Sequence, residues 1–483
     1  MMYTSTRDTS VSVSAAKAVI DGIAADGGLY VPKSLPSVDY RSMLGLDYAA
    51  RVEKVLSAFF DFDVKGIADK AYSSFDSGDP APVVKLDDKL YMLELWHGKT
   101  CAFKDMALSV LPHLLAAAKK AEGDGRETLV LVATSGDTGK AALEGFRDVD
   151  GVKVCVFYPT DGVSKVQKLS MQTQDGDNVY SVGIKGNFDD AQSAVKRAFR
   201  DEQLIGALAE KNIVMSSANS INIGRLVPQI AYYFSAYCDL VDSDEITAGS
   251  KVDFVVPTGN FGNILAGYYA RAMGVPINRL VCASNKNNVL TDFIETGTYD
   301  INREFFKTLS PSMDILVSSN LERLLFEVSG HDGEAVGAYM TKLTDKGRYD
   351  VSPEVIDKIR TIFACGYADD DDCLEAIAEA FDEYGYVLDP HTAAAYSVAE
   401  SRELSYPTVI ASTASPFKFA PAVLTALDEK VGEVTAKTLG LLSDITALDV
   451  PVQLAEVFTK PLRFTEIIDK DEILDFIARK FGE

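Results

Sequence analysis

Hydrophobic and polar positions along this chain follow two rhythms. In the first 90 residues the rhythm is mainly helical. Residues 47–75 carry two amphipathic patterns, and Ser77-Gly78-Asp79-Pro80 breaks the second. Before them, Asp26-Gly27-Gly28 forms a turn that leads into an extended piece ending at Val31-Pro32. From residue 128 onward, short β-branched runs alternate with helical patterns. Strands are expected at 128–133, 153–158, 179–184 and 213–216, and helices at 138–148, 164–172, 189–207 and about 224–238. That order predicts a parallel sheet with helices on both faces. A polar stretch at 241–250 marks an expected crossing between domains. The alternation then restarts, with a strand at 252–256, a helix at 263–272, a strand at 280–283 and a last buried strand at 408–411. Residues 292–380 and 428–483 read as mainly helical.

Size and charge narrow the picture. A chain of 483 residues is too long for one core, so two or three domains are expected. Its 47% apolar and 24% charged residues suit a soluble globular enzyme. The net charge of −24 argues against nucleic acid or an anionic membrane surface as partner. An anionic ligand would therefore need a local cluster of N–H groups and cations. The six cysteines form no CxxC pair, and none stands with histidine at metal-ligand spacing. Reduced thiols, no metal and a reducing compartment are expected. The first residues lack the apolar core of a secretory signal, and no apolar run approaches membrane-spanning length, so a cytoplasmic protein is expected. The run Asp369-Asp370-Asp371-Asp372 is expected to be a solvated loop and helix start.

Candidate chemistry begins at residues 94–106, which hold the only tryptophan, Trp96, and one of four histidines, His97. An apolar run at helical spacing follows, so Lys104 and Asp105 fall at the opening of a helix. A lysine there sits in the positive field of the helix end. Kept from bulk water, it would have a lowered pKa and supply the free amine that Schiff-base chemistry requires. Three polar loops end expected strands, where open parallel sheets bind ligands. Ser135-Gly136-Asp137-Thr138-Gly139-Lys140 reads equally as a tight turn or an anion cradle. It fails the nucleotide P-loop pattern, which needs Gly where Thr134 stands and Ser or Thr where Ala141 stands. Gly259-Asn260-Phe261-Gly262-Asn263 has glycines that let backbone approach a phosphate at a helix start. Ser412-Thr413-Ala414-Ser415 offers hydroxyls from a third side. An amine, a phosphate cradle and a lone hydroxyl together suit pyridoxal phosphate.

These segments, in their order, resemble the threonine synthase family, of the tryptophan-synthase-like fold type II of pyridoxal-phosphate enzymes. The likeness extends over Tyr3-Thr4-Ser5-Thr6-Arg7, Trp96-His97-Gly98-Lys99-Thr100 with Ala102-Phe103-Lys104-Asp105, and Asn219-Ser220-Ile221-Asn222 with Arg225. It continues through Ser310-Pro311-Ser312-Met313-Asp314, Pro390-His391-Thr392-Ala393 and Thr413-Ala414 with Pro416, Lys418 and Phe419. The resemblance implies that Lys104 carries the cofactor and acts as the base. It implies that Gly259, Asn260, Phe261, Gly262 and Asn263 hold the cofactor phosphate, that Thr413 meets the ring nitrogen, and that Asp137 lies near the ring hydroxyl. Ser135, Gly136, Thr138, Asn219, Ser220 and Arg225 would bind substrate, with Arg225, Arg7 and Lys168 the candidate cations for its phosphate. Two positions depart from the family pattern: Lys99 stands where proline is common, and Ser415 where histidine is common.

The implied fold is α/β, with two doubly wound parallel-sheet domains. An N-terminal, mainly helical domain is expected at 1–90, a smaller α/β domain with the lysine and substrate loop at 91–245, a larger one with the phosphate loop at 246–427, and a helical appendage at 428–483. The implied activity converts O-phospho-L-homoserine and water to L-threonine and phosphate, in a monomer or homodimer. A serine/threonine dehydratase of the same fold type, or a low-activity binding protein, are the alternatives.

Overall fold

The computed structural model describes residues 1–75, 78–134, 136–432 and 434–482. Ser77, in the expected break, and Ser135, in the expected anion loop, lie outside the described residues. Two parallel sheets organise the chain. The smaller sheet has five parallel strands in the order Ile467–Asp469, Val179–Lys185, Val152–Pro159, Glu127–Ala133 and Ile213–Ser217. The larger has six, in the order Phe363–Tyr367, Ile277–Ser284, Val252–Pro257, Thr408–Ser412, Leu90–Glu94 and Val83–Lys85. All its pairings are parallel except the last, where Val83–Lys85 runs antiparallel to Leu90–Glu94. The central strands are buried along nearly their whole length, as parallel strands covered on both faces must be.

The two-sheet α/β architecture is the expected one, with four differences in detail. The N-terminal segment is not only helical: Met2–Ser5 is the centre of a three-stranded antiparallel sheet with Val13–Ser14 and Tyr30–Pro32. The helix expected at 189–207 is two, Phe188–Ala198 and Glu202–Glu210. Asp201 divides them by capping the second, accepting a bond from Leu204 N–H at 2.8 Å. Within 292–380 an antiparallel pair, Thr298–Asp300 with Arg348–Asp350, and the edge strand Phe363–Tyr367 interrupt the helices. The C-terminal region, expected to be helical, supplies the strand Ile467–Asp469 to the smaller sheet. The strands Phe363–Tyr367 and Ile467–Asp469 are short and form by pairing with the longer Ile277–Ser284 and Val179–Lys185.

The expected boundary at 90/91 falls at the start of a strand of the larger sheet. Strand Leu90–Glu94 pairs with Thr408–Ser412. The lysine segment therefore hangs from the larger sheet, not the smaller one. Helix Ile223–Asp242 is buried along almost its whole length and packs against helices Gly262–Met273 and Tyr48–Phe59. It joins the N-terminal part to the larger sheet within one continuous hydrophobic cluster.

Arg323 fastens three segments to one another. It is fully buried and donates to Tyr30 O at 3.1 Å, Asn320 Oδ1 at 2.5 Å and Ile221 O at 2.6 Å. Arg323→Met leaves these acceptors without their donor. At about 1 to 3 kcal/mol for an unsatisfied buried group, the variant should lose several kcal/mol of stability. Urea denaturation checks this as a lowered midpoint with an unchanged slope; an unchanged midpoint would refute it.

Candidate active site

The site lies where the carboxyl ends of both sheets converge. Strand pairing in the larger sheet runs on beyond its last regular residue. Leu95 N–H donates to Ser412 O at 3.0 Å, Phe103 N–H to Thr413 O at 2.8 Å, and Ser415 N–H to Cys101 O at 3.0 Å. The lysine loop and the hydroxyl loop are thereby one structural unit, though 310 residues separate them in sequence. Trp96 Nε1 adds a bond to Ser412 Oγ at 3.0 Å, and His97 Nε2 pairs with Glu94 Oε2 at 2.7 Å. Both rings brace the loop and neither lines the cleft.

Lys104 directly precedes the one-turn helix Asp105–Leu108 and is 9% exposed. Its Nζ donates to Asp137 Oδ2 at 3.5 Å and to Ser312 Oγ at 3.3 Å. Asp137 opens the helix Asp137–Gly145 beyond strand Glu127–Ala133 of the smaller sheet. Its other oxygen meets Lys418 Nζ at 2.7 Å and accepts Gln167 Nε2 at 2.9 Å. Burial alone would raise this carboxyl, but Lys418 and Lys104 outweigh burial and hold it well below the usual carboxylate range. Burial pushes Lys104 down to about 8; Asp137 works against that shift, while Lys418 and Arg225 add to it. The amine is thus activated mainly by desolvation and neighbouring cations. The helix-end field expected from the sequence has only one turn of helix behind it.

The phosphate-loop candidates fold as a strained helix start. Phe261 has φ +60°, a left-handed conformation unusual for a bulky residue, and precedes helix Gly262–Met273. The first N–H groups of that helix have no acceptor inside it. Gly259 is required by close approach, since a Cβ there would lie 2.9 Å from Ser312 O. Asn263 Oδ1 accepts the hydroxyls of Tyr232 at 2.6 Å and Tyr233 at 2.7 Å, which leaves its buried Nδ2 without a partner. Arg225 is 4% exposed and spends Nη1 on Ala218 O at 2.7 Å, while its Nε is buried and unpartnered. Among the described residues no carboxylate pairs with it, and burial lowers its pKa to about 10.

Lys104, Asp137, Thr138, Asn219, Ser220 and Arg225 line one cleft. Gly259, Asn260, Phe261, Gly262, Asn263 and Thr413 line the same cleft. Gly136 adjoins it as the residue before the Asp137 helix, with φ +136° and no room for a Cβ, which would lie 2.5 Å from Gln167 Cδ. Arg7 is committed elsewhere: it grips both carboxylate oxygens of Glu322, at 2.9 and 2.8 Å. Among the described residues Lys168 reaches only Thr160 O, at 3.4 Å. Neither lines the cleft. Ser415 is buried with its hydroxyl unpartnered, and Lys99 lies in a separate surface cavity beside Lys140 and Lys460. Three residues quoted above without a role also belong to the site. Lys418 pairs with Asp137, Ser312 touches Lys104, and His391 lines the cleft. Only their chemical type in polar blocks hinted at this.

The cleft suits a small cofactor with an aldehyde and a phosphate. It offers one activated amine, a helix start with free N–H groups, and two buried donors, on Asn263 and Arg225, that await acceptors. That combination defines a two-sheet α/β enzyme of the pyridoxal-phosphate class. The family model for pyridoxal-phosphate dependent enzymes matches residues 78–414. The models for the threonine synthase N terminus and for its C-terminal part match residues 2–72 and 392–477. Threonine synthase from Pseudomonas aeruginosa is 38% identical over 477 residues, covering 96% of this chain and 95% of that one. Threonine synthase-like 1 from Homo sapiens is 41% identical over 452 residues, covering 89% of this chain. The chain spans only 60% of the length of that relative. Among solved structures, pyridoxal-phosphate-bound threonine synthase from Brucella melitensis superposes with a TM-score of 0.87 at 34% identity, covering 99% of each chain. Threonine synthase from yeast gives 0.86 at 32% identity, covering 100% of this chain and 98% of that one. The chain belongs to the threonine synthase family.

The electrostatics of Lys104 can be tested directly. Lys418→Met removes a cation that lowers the Lys104 pKa and frees Asp137, which raises it. Both changes act in the same direction, so the midpoint should move above 8. Amine labelling of Lys104 in cofactor-free protein, followed across pH by mass spectrometry, should show the alkaline shift. An unmoved midpoint would contradict the assignment.

Proposed function

We propose that this chain converts O-phospho-L-homoserine and water to L-threonine and phosphate. The observation that carries this reading is Arg225, a buried cation with no carboxylate partner among the described residues, in the same cleft as Lys104. A serine dehydratase needs one anion site for its cofactor phosphate and another for a carboxylate. A phosphorylated substrate needs a third, and a guanidinium is the side chain best suited to supply it.

In this reading Lys104 would hold the cofactor aldehyde, the N–H groups at 259–263 its phosphate, and Thr413 the ring nitrogen. When bound, pyridoxal phosphate supplies a carbonyl that takes up an amine and a ring that accepts the electron pair released at the substrate α-carbon. Lys104 Nζ takes the α-proton and later returns it. A pKa of about 8 lets one amine do both near neutral pH. Ser135, Gly136 and Thr138 take the substrate carboxylate. Arg225, with Asn219 and Ser220, neutralises the phosphate as it leaves. Thr413, a neutral hydroxyl, would not keep a ring nitrogen protonated as a carboxylate would, which limits electron withdrawal and disfavours transamination.

No helix of the described residues is long and apolar enough to cross a membrane. Buried free thiols at Cys155, Cys238, Cys282 and Cys373 support a reducing, cytoplasmic setting. A second reading, a threonine-synthase-like protein of low activity, is favoured by the unpartnered Ser415 hydroxyl where the family commonly has histidine.

Phosphate release from O-phospho-L-homoserine, with L-serine as the control substrate, tests the reading. Release should require Lys104, and Lys104→Ala should also lose the visible cofactor band. Arg225→Met should raise KM for the phosphorylated substrate by roughly ten- to a hundredfold, the worth of one charge-assisted hydrogen bond. Deamination of serine without phosphate release would establish the dehydratase instead. A cofactor band without turnover of either substrate would establish the low-activity reading.

A further inference from the structure

The fully buried carboxylate of Asp389 has no part in the chemistry above, yet it stands behind two walls of the cleft. We propose that Asp389 is a positioning residue that fixes Ser312 against Lys104 and seats Thr413. The proposal rests on the cofactor reading. Asp389 precedes helix Pro390–Glu400 and accepts N–H bonds from His391 at 2.9 Å and Thr392 at 3.3 Å. That much is ordinary helix capping. Its side-chain bonds go further.

On one arm, Asp389 Oδ1 meets His391 Nδ1 at 2.7 Å. The other ring nitrogen, Nε2, receives Ser312 N–H at 3.1 Å. A backbone N–H can only donate, so Nε2 carries no proton. The ring proton therefore sits on Nδ1 and is donated to Asp389. The carboxylate selects the one neutral tautomer that can hold the Ser312 backbone. Phe419 fixes the ring plane by an edge contact at 4.7 Å. Ser312 Oγ then lies 3.3 Å from both Lys104 Nζ and Asp137 Oδ2, where it touches the reacting nitrogen. On the other arm, Thr392 Oγ1 donates to Asp389 Oδ2 and accepts Thr413 N–H at 3.1 Å. One carboxylate thus sets the register of two segments, at 310–315 and 412–415, that do not otherwise share a sheet.

The test uses holoenzyme of Asp389→Asn, His391→Gln and His391→Leu, read by the visible cofactor spectrum, cofactor release rate, melting temperature, kcat and KM. Asn in place of Asp389 offers one acceptor where two are needed. Its cofactor band should shift, release should quicken about tenfold, and kcat should fall by up to about a hundredfold. KM should stay within about threefold, because the substrate-binding groups are untouched. Gln at 391 can still accept Ser312 N–H through its amide oxygen, and should keep the wild-type band that Leu loses. A lowered melting temperature with unchanged spectrum, release and kcat in Asp389→Asn would show a helix cap and nothing more. If Asp389→Asn does not fold, the two His391 variants decide: identical spectra in both would overturn the proposal. A wild-type protein lacking the visible band would overturn the cofactor reading, and this assignment with it. A wild-type band beside an unaltered variant would overturn the assignment alone.

Discussion

Everything in the site depends on one buried carboxylate held between two amines. Asp137 comes from the smaller sheet, while Lys104 and Lys418 both hang from the larger one. The contact therefore crosses the junction between the two sheets. Charges at such depth lose far more hydration than they regain from a single partner, and removing one member of a buried pair costs about 3 to 5 kcal/mol. The arrangement is poorly explained as a device for stability. It is well explained as a device for the amine. With Lys418 as the nearer partner, at 2.7 Å against 3.5 Å for Lys104, the carboxylate is largely neutralised before Lys104 can claim it. Lys104 stays desolvated, only weakly paired, and easily deprotonated.

The rest of the architecture keeps that triad in register. Because strand pairing continues past the sheet edge, the lysine loop and Thr413 cannot move independently. Phe261 illustrates the same logic in a strained form. Its left-handed conformation persists because the ring is buried against Phe363 and because Asn320 N–H, Asn320 Nδ2 and Ser318 Oγ all bond the loop carbonyls at 259–260. A rigid scaffold thus displays the helix start without spending ligand-binding energy on ordering it.

Much of this was legible in the sequence, for identifiable reasons. The strands at 128–133, 153–158, 252–256 and 408–411 are buried on both faces, so their apolar runs announce themselves, and the loops at their carboxyl ends could be found by position alone. The strand Ile467–Asp469 could not, because it exists only through pairing with Val179–Lys185. The break at Asp201 is a capping event inside a nearly continuous amphipathic pattern, and apolar periodicity does not register caps. The lowered pKa of Lys104 was foreseen, and so was its largest cause, removal from bulk water; the part played by Lys418 was not. A helix end is visible in sequence, whereas Lys418, more than 300 residues away, becomes a neighbour only in the fold. The same is true of Ser312 and His391. The pairing of Arg7, a candidate substrate cation, with Glu322 was hidden for the matching reason: the two are equally distant in sequence.

Arg225 shows what the fold leaves undone. A guanidinium buried this deeply normally has either a carboxylate or a fuller set of acceptors. Arg323, fully buried, donates to three oxygens. Arg51, 3% exposed, pairs with Asp239 and Asp242. Arg225 has one backbone carbonyl and an unpartnered Nε, and its pKa is lowered as uncompensated burial requires. Beside it, Asn263 has spent both lone pairs of its oxygen on two tyrosines and keeps its amide donors free. Two donors with no acceptor, in a cleft whose helix start also lacks acceptors, form a local surplus of positive potential inside a chain of net charge −24. Such a surplus is costly to an empty site and is relieved by anions. In the function proposed above, those anions would be the phosphates of the cofactor and of the substrate.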